Sequence, residues 1–176
     1  MFAVSKALNL AAVAATILLS TIPAFSQSGS LGCILKRMPS GHSLHCQNGV
    51  IIQAEKDSRY ALIDRNGDGL ADGVRLRNKG LLLDARRRLS PRSGFVVVTP
   101  QAIAAVRGTK WAVDVQGGKT AVFVVNGIVS VEKTVSGDLV NLRRGQGVDV
   151  DRSAAPLVVK RWPAARVAAL LGRFRQ

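Results

Sequence analysis

The sequence has few aromatic residues, few acidic residues and almost no long apolar runs. Phe, Trp and Tyr make up 5% of its 176 residues, which argues against the aromatic platforms on which single-stranded nucleic acids stack. The 11 acidic residues face 25 Lys and Arg residues, which gives a formal net charge of +14. Because no DNA- or RNA-binding motif accompanies this charge, we predict no nucleic-acid partner. The charge instead favours solubility and non-specific attraction to anionic lipids and cell-wall polymers.

The one long apolar run lies at the N-terminus, in residues 7–22, directly after Lys6. It is shorter than the roughly 20 residues that a membrane-spanning helix needs. Ala24-Phe25-Ser26 then supplies the small residues that a signal peptidase recognises. We therefore predict that residues 1–26 are a signal peptide, and that the mature chain is periplasmic or secreted and has no transmembrane segment.

Patterns that are typical of enzymes are also lacking. The chain contains no Gly-x-Ser-x-Gly nucleophile elbow, and although Lys119-Thr120 follows Gly117-Gly118, Val113 stands where a phosphate-binding loop has its first glycine. No two acidic residues stand out as a general acid and base. We predict that the protein is not an enzyme.

The only two cysteines, Cys33 and Cys46, flank a Met-Pro-Ser-Gly turn signal at residues 38–41. A two-residue loop at the centre of this turn would place the cysteines directly opposite each other on a hairpin, within reach of a disulfide. The alternative is a zinc site that adds His42 and His45. Because His45 and Cys46 are adjacent, they would point to opposite faces of a strand, and an oxidising compartment favours the disulfide.

The loop at residues 64–73 is the best candidate for a metal site. Oxygen-bearing side chains occupy positions 1, 3, 5 and 9 of a calcium-loop pattern that also has glycine at position 6: Asp64, Asn66, Asp68 and Asp72. Position 12 is Arg75 instead of the bidentate glutamate, and Asp, Asn and Gly also favour an ordinary turn. We predict no cofactor, with weak calcium binding at this loop as the alternative.

Many short apolar or alternating segments, separated by Gly-rich turns, predict an all-β fold. Within residues 111–115, Trp111, Val113 and Val115 fall on one face of a strand, and the residues between them fall on the other. Asn126-Gly127 predicts a hairpin between strands at 121–125 and 128–131. Periodicity alone does not distinguish a sandwich, a barrel and a solenoid.

The C-terminus changes from a strand pattern to a helical one. After Pro163, apolar residues follow the i, i+3, i+4, i+7 spacing of one helix face: Val167, Leu170, Leu171 and Phe174. This narrow stripe predicts one C-terminal α-helix that docks on the β core, with a membrane-surface helix as the alternative.

We divide the chain into a signal peptide (1–26), an N-terminal β region that contains the disulfide hairpin (27–93), a central domain (94–155), and a terminal strand with the amphipathic helix (156–176). A basic linker at 86–92 separates the two β regions.

An ordered series of short motifs from about residue 94 to residue 150 resembles the FecR domain. The matching elements are Thr99-Pro100, Val106-Arg107-Gly108-Thr109, Trp111-Ala112-Val113, the segment 122–129 and the segment 142–148. The resemblance implies an extracytoplasmic β-solenoid or β-helix-like stack of short strands with hairpins. It also implies a structural role for the motif residues Thr99, Pro100, Arg107, Gly108 and Thr109.

The FecR family includes transmembrane regulators that relay a signal from an outer-membrane transporter to a sigma factor. Only a handful of residues precede the apolar segment here, so we expect no cytoplasmic anti-sigma region. The expected function is therefore that of an exported, non-catalytic binding, scaffold or regulatory module with an unknown protein partner in the cell envelope. The alternative is an envelope module that binds anionic polymer or calcium.

Overall fold

The computed structural model describes residues 31–85, 94–106 and 108–174. Within those ranges the chain forms thirteen strands and one α-helix, so the prediction of a β-rich chain with a single C-terminal helix is confirmed. The strands are β1 (Cys33–Met38), β2 (Gly41–Cys46), β3 (Ile51–Glu55), β4 (Arg59–Ile63), β5 (Gly73–Asp84), β6 (Phe95–Val98), β7 (Ala102–Val106), β8 (Lys110–Gln116), β9 (Lys119–Asn126), β10 (Ile128–Lys133), β11 (Leu139–Arg143), β12 (Gln146–Val150) and β13 (Lys160–Arg161), and the helix is α1 (Ala164–Gly172). The predicted signal peptide, the basic linker and Arg107 lie outside the described residues.

The sheet folds over on itself along the long strand β5. The first half of β5 pairs with β4 and β6, and its second half pairs with β3 and β8. The change of partners occurs at Lys79, whose φ of 63° lies in the left-handed region that side chains rarely adopt. The sheet therefore curls into a half-barrel, and it is not clearly the solenoid that the family resemblance implied.

We call the two halves of the folded sheet leaves. The helix-side leaf has the strand order β1-β2-β3-β5-β8-β9-β12-β13, and the opposite leaf has the order β4-β5-β6-β7-β10-β11. Since β5 belongs to both leaves, strands on either side of the predicted division at residue 93 share one sheet. The division itself falls in the connection between β5 and β6, outside the described residues.

The main core fills the space between the leaves. From the helix-side leaf, Trp111, Val113 and Val115 point inward, as their alternation predicts, and Trp111 meets Phe95 of the opposite leaf edge-to-face. Both aromatic side chains are fully buried. Burying apolar side chains from both leaves is what holds the curled sheet closed, at roughly 1.5–3 kcal/mol for each large side chain.

The predicted hairpin at Asn126-Gly127 is wrong. β9 pairs with β8 and β12 in the helix-side leaf, whereas β10 pairs with β7 and β11 in the opposite leaf. Gly127, with a φ of 95°, therefore lies where the chain crosses from one leaf to the other. Asn-Gly favours a sharp change of direction, and here that change leads across the core instead of back along the neighbouring strand.

The helix α1 docks on the outer face of the helix-side leaf. Its Leu170 and the following Phe174 join a second apolar cluster with Phe123 and Trp162. Trp162 stacks on the Phe123 ring, and the guanidinium of Arg166 lies 3.5 Å from the centre of the Trp162 ring. Since the apolar stripe of the helix faces this cluster, the helix covers sheet surface that would otherwise be exposed. Among the described residues, no helix has the length and apolarity needed to cross a membrane.

The disulfide hairpin has the predicted register. Cys33 pairs directly with Cys46, and the register continues through Leu35 opposite Leu44 to Met38 opposite Gly41. The two sulfur atoms are bonded to each other. The sequence symmetry about the Pro-Ser turn therefore correctly predicted both the hairpin and the cross-link.

Candidate functional site

The helix-side leaf extends beyond the opposite leaf at its β1 edge, and this difference leaves an open groove. One row of inward-pointing side chains runs across the helix-side leaf from Leu83 through Ile52 and Leu44 to Leu35 on the edge strand β1. Their exposed fractions are 0%, 0%, 2% and 49%. Leu35 is half exposed because the opposite leaf ends at β4, and no described strand lies beneath β1.

The groove has a volume of about 740 Å³ and lies between the β1–β2 hairpin and β4. Its apolar lining comes from both leaves: Leu35, Met38, Leu44 and Leu62. Polar lining comes from Arg37, His42, Ser58 and Tyr60. An apolar floor with a few polar groups at its margin is the usual form of a site that binds another molecule.

β4 presents unpaired backbone to this groove. Within the described part of the chain, β4 pairs only with β5. The carbonyl of Ile63 accepts the N–H of Asp72, and the N–H of Arg59 donates to Asn78 Oδ1, so these residues face the β5 side. Backbone groups alternate along a strand, so those of Tyr60 and Leu62 point to the free edge.

Charge in the groove is positive. Arg37 is the charged side chain among the described residues that line it, and β1, β2 and β4 contain no aspartate or glutamate. Burial lowers the pKa of His42, and burial raises the pKa of Tyr60 to about 12. Tyr60 is therefore protonated at neutral pH and His42 is neutral. The tyrosine Oη lies 2.5 Å from His42 Nε2, so a hydrogen bond joins the two side chains across the two leaves.

A second cavity, of about 490 Å³, lies near the point where β5 changes partners. Arg173 follows α1 and lines this cavity with Glu55 and Asp114. Its Nη2 lies 3.1 Å from Glu55 Oε2 and 2.6 Å from Asp114 Oδ1. Because the guanidinium is already paired with both carboxylates, these charges attach the end of the helix to the sheet.

The four candidate calcium ligands lie in one exposed loop, where their oxygen atoms bond the loop itself. Asp64 accepts the N–H groups of Gly67 and Gly69, Asp68 accepts that of Leu70, and Asn66 accepts that of Asp68. Asp72 Oδ1 accepts both the backbone N–H and the Nε–H of Arg65. Among the described residues, no three His, Cys, Asp or Glu side chains are grouped to hold a metal ion. Calcium binding here stays a prediction.

The family-motif residues lie at two points where neighbouring elements are joined. Thr99 is buried, and its Oγ1 accepts the N–H of Ala102 at 2.9 Å and the hydroxyl of Thr120 at 2.8 Å. Pro100 is exposed at the tip of the same turn. Thr109 is also buried, and its hydroxyl donates to the Ile128 carbonyl at 2.9 Å. The adjacent Gly108 is exposed, with a φ of 69°. These bonds join strands to one another, and they place neither threonine in the groove.

Sequence reasoning did not identify the groove. Leu35, Arg37 and Leu62 belong to no motif, and neither does Tyr60, the one tyrosine of the sequence. The positions of His42 and Cys46 on one hairpin suggested a possible zinc site, but the structure uses the cysteine in a disulfide and places His42 against Tyr60. No motif or periodicity marks these positions, because the exposure of Leu35 depends on where the opposite leaf ends.

The fold and groove define a β-rich module with an open edge, and comparison with known proteins gives its family. The FecR protein family model matches residues 40–130, slightly more than half of the sequence, so the chain belongs to the FecR family. The match begins in the turn between β1 and β2, well before the segment on which the resemblance was recognised. No curated protein matches the chain by sequence.

Two solved structures share the fold, and both are of a proposed anti-sigma factor from Parabacteroides distasonis ATCC 8503. The first, at 1.65 Å resolution, has 18% identity and a TM-score of 0.55, and the match covers 73% of this chain and 59% of the other. The second, at 2.50 Å resolution, has 17% identity and a TM-score of 0.59, and the match covers 79% and 63%. The chain thus spans about three fifths of the length of these neighbours.

Proposed function

We propose that the mature protein is an exported, non-catalytic module that acts as a regulator or scaffold through contacts with a protein partner in the cell envelope. The observation that carries this proposal is the open groove, in which Leu35 is half exposed on the inner face of the sheet. Apolar surface in a concave, partly polar site is typical of a place where another chain binds. Membership of the FecR family supports a regulatory role.

The disulfide supports an extracytoplasmic location. Cys33 and Cys46 are bonded and only 8% exposed, as expected of a structural cross-link. Such bonds persist in oxidising compartments such as the bacterial periplasm and are rare in the cytosol. Together with the apolar N-terminal run, this favours export over a cytoplasmic location.

The proposal is tested by identifying a partner and rebuilding the complex from purified components. Tagged mature protein is incubated with a periplasmic extract, and any captured protein is identified, purified separately and recombined with it. We expect a complex of defined stoichiometry that persists at physiological salt. If the purified protein instead turns over an envelope substrate, and one acidic or histidine substitution stops this without unfolding it, the proposal is wrong.

The second candidate function is binding to an anionic cell-wall polymer. It is favoured by Arg75 and Arg77, which are both exposed on β5 and alternate with the buried Val74 and Leu76. Attraction between exposed charges is screened by salt, with a Debye length of about 8 Å at physiological ionic strength. This candidate predicts sedimentation with purified cell wall at low salt and release at high salt, without a stoichiometric protein complex.

A further inference from the structure

We propose that the groove binds an extended acidic segment of the partner protein, which pairs as an added strand with the free edge of β4 beneath β1. This inference rests on the proposed function and specifies where the partner binds and what chemistry it has. It follows from the shape of the sheet, the direction of the free backbone groups and the charge of the strands around the groove.

The shape of the sheet gives the position of the added strand. β1 extends the helix-side leaf beyond β4, which is the last strand of the opposite leaf. Tyr60 of β4 already meets His42 of β2, so the next strand position beyond β4 lies under β1. Neighbouring strands lie about 4.8 Å apart and packed leaves about 10 Å apart, which leaves room for one strand there. A strand in this position would cover Leu35 as the opposite leaf covers Leu44.

The backbone of β4 gives the binding mode. The N–H and C=O groups of Tyr60 and Leu62 point to the free edge, as the bonds of Ile63 and Arg59 to the β5 side require. An extended segment can satisfy these groups through main-chain hydrogen bonds, which give affinity without a particular side-chain sequence. Pairing on the outer edge of β1 would leave Leu35 uncovered, so the half-buried leucine favours the β4 edge.

Charge and apolar surface give the chemistry of the bound segment. Inward-pointing positions of β1 carry Leu35 and Arg37, and both line the groove. β1, β2 and β4 contain no carboxylate to neutralise Arg37. A strand with an apolar side chain opposite Leu35 and an acidic side chain near Arg37 is therefore complementary. A second copy of this chain would bring further positive charge, which disfavours self-pairing.

The test uses a short, capped, fluorescent peptide in which valine alternates with glutamate. We expect it to bind the mature protein, and we expect binding to weaken when lysine replaces glutamate. N-methylation of alternate residues along one edge should abolish binding, whereas N-methylation along the other edge should leave it intact, since only one edge pairs with β4. In the complex, hydrogen exchange should slow at the amides of Tyr60 and Leu62.

Matched variants on β1 test the inner and outer faces of the strand separately. Leu35→Ser should weaken peptide binding by roughly tenfold or more, because serine cannot replace the apolar contact of Leu35 with the bound strand. Ile34→Ser is the control, since Ile34 is 68% exposed on the other face of β1. Arg37→Glu should weaken binding of the glutamate peptide and strengthen binding of the lysine peptide. Lys36→Glu, on the outer face of β1, should change the binding of either peptide by less than about threefold.

Four results would overturn the inference. Equal effects of Leu35→Ser and Ile34→Ser would show that the peptide does not enter the groove. Dimers of the free protein that Leu35→Ser dissociates would show that a second copy occupies it. If the peptide does not bind although a purified envelope partner does, the strand-addition model is wrong and the proposed function stands. If no partner forms a complex either, both the strand-addition model and the proposed function fail.

Discussion

Thr109 and Gly127 meet where the chain crosses between the leaves. A Cβ atom on Gly127 would lie 2.8 Å from Thr109 Oγ1 and 3.1 Å from the Gly108 carbonyl oxygen, closer than real Cβ contacts allow without movement. The Thr109 hydroxyl is itself bonded to the Ile128 carbonyl. The Thr109 hydroxyl and the absence of a Cβ atom at Gly127 therefore together shape the crossing.

We predict that Gly127→Ala destabilises the protein more than Gly108→Ala. Both glycines have a positive φ, for which an L-residue costs roughly 1–2 kcal/mol. Gly108 has no neighbouring atom within 4 Å of an added Cβ, so Gly108→Ala should cost only this strain. Gly127→Ala adds overpacking against Thr109, typically about 1–3 kcal/mol more. Urea denaturation of the two variants measures the difference, and equal costs would contradict the account of the crossing.

We predict that His42 makes the protein less stable at acidic pH. Burial lowers the pKa of His42 below its usual value of about 6.5, so the unfolded chain takes up a proton more readily than the folded chain. Stability is therefore complete above pH about 6.5 and is lost as the pH falls below it. The substitution His42→Gln should reduce this loss in urea denaturation between pH 7.5 and 5. The pKa of His45 on the same strand is also lowered, mainly by burial and to a smaller extent by the charge of Lys36. The variant His45→Gln therefore serves as the comparison for His42→Gln. An unchanged pH dependence in His42→Gln would contradict the prediction.

At the scale of elements, the β1–β2 hairpin and the helix α1 are the two additions to the body of the sheet. β1 pairs only with β2 among the described strands, and the disulfide attaches its first residue to the last residue of β2. The helix is held by an apolar cluster and by the pairing of Arg173 with Glu55 and Asp114. Each element can therefore be weakened separately.

We predict that replacing both Cys33 and Cys46 with serine lowers the free energy of unfolding by about 3 kcal/mol, the chain-entropy value for a loop of this length. Because β1 has no other strand partner in the described chain, its amides and those of β2 should exchange faster. The amides of β8 and β9 serve as the internal control. Exchange that accelerates equally in all four strands would contradict local attachment by the disulfide.

We predict that Leu170→Ala destabilises the fold by about 2–5 kcal/mol, because Leu170 is buried between the helix and the sheet. Ala168→Ser, on the exposed side of the helix, should change stability by less than about 0.5 kcal/mol. Chemical denaturation in the absence of lipid measures both. If Leu170→Ala leaves stability unchanged, the helix is not a structural part of the fold, and the membrane-surface alternative becomes the better one.

The elements that sequence analysis predicted correctly depend on local information. The register of the disulfide hairpin follows from its turn, and the inward face of Trp111, Val113 and Val115 follows from strand alternation. The hairpin at Asn126-Gly127 was wrong because a sharp turn signal does not specify which strand receives the chain. The groove could not be predicted, since the exposure of Leu35 depends on where the opposite leaf ends.

At the scale of the whole molecule, the fold produces a basic groove because the helix-side leaf extends beyond the opposite leaf. The formal net charge of +14 gives a general attraction to anionic surfaces, whereas the acid-free strands β1, β2 and β4 place positive charge beside an apolar floor. The groove combines charge, apolar surface and free backbone groups. We therefore propose that a partner contacts this edge of the molecule.

Hydrogen exchange of the mature protein, alone and in complex with its purified envelope partner, tests this placement most directly. We predict slower exchange in β1 and at Tyr60 and Leu62 of β4, with little change in α1 and β11. Slower exchange confined to α1 or β11, with β1 and β4 unchanged, would contradict it.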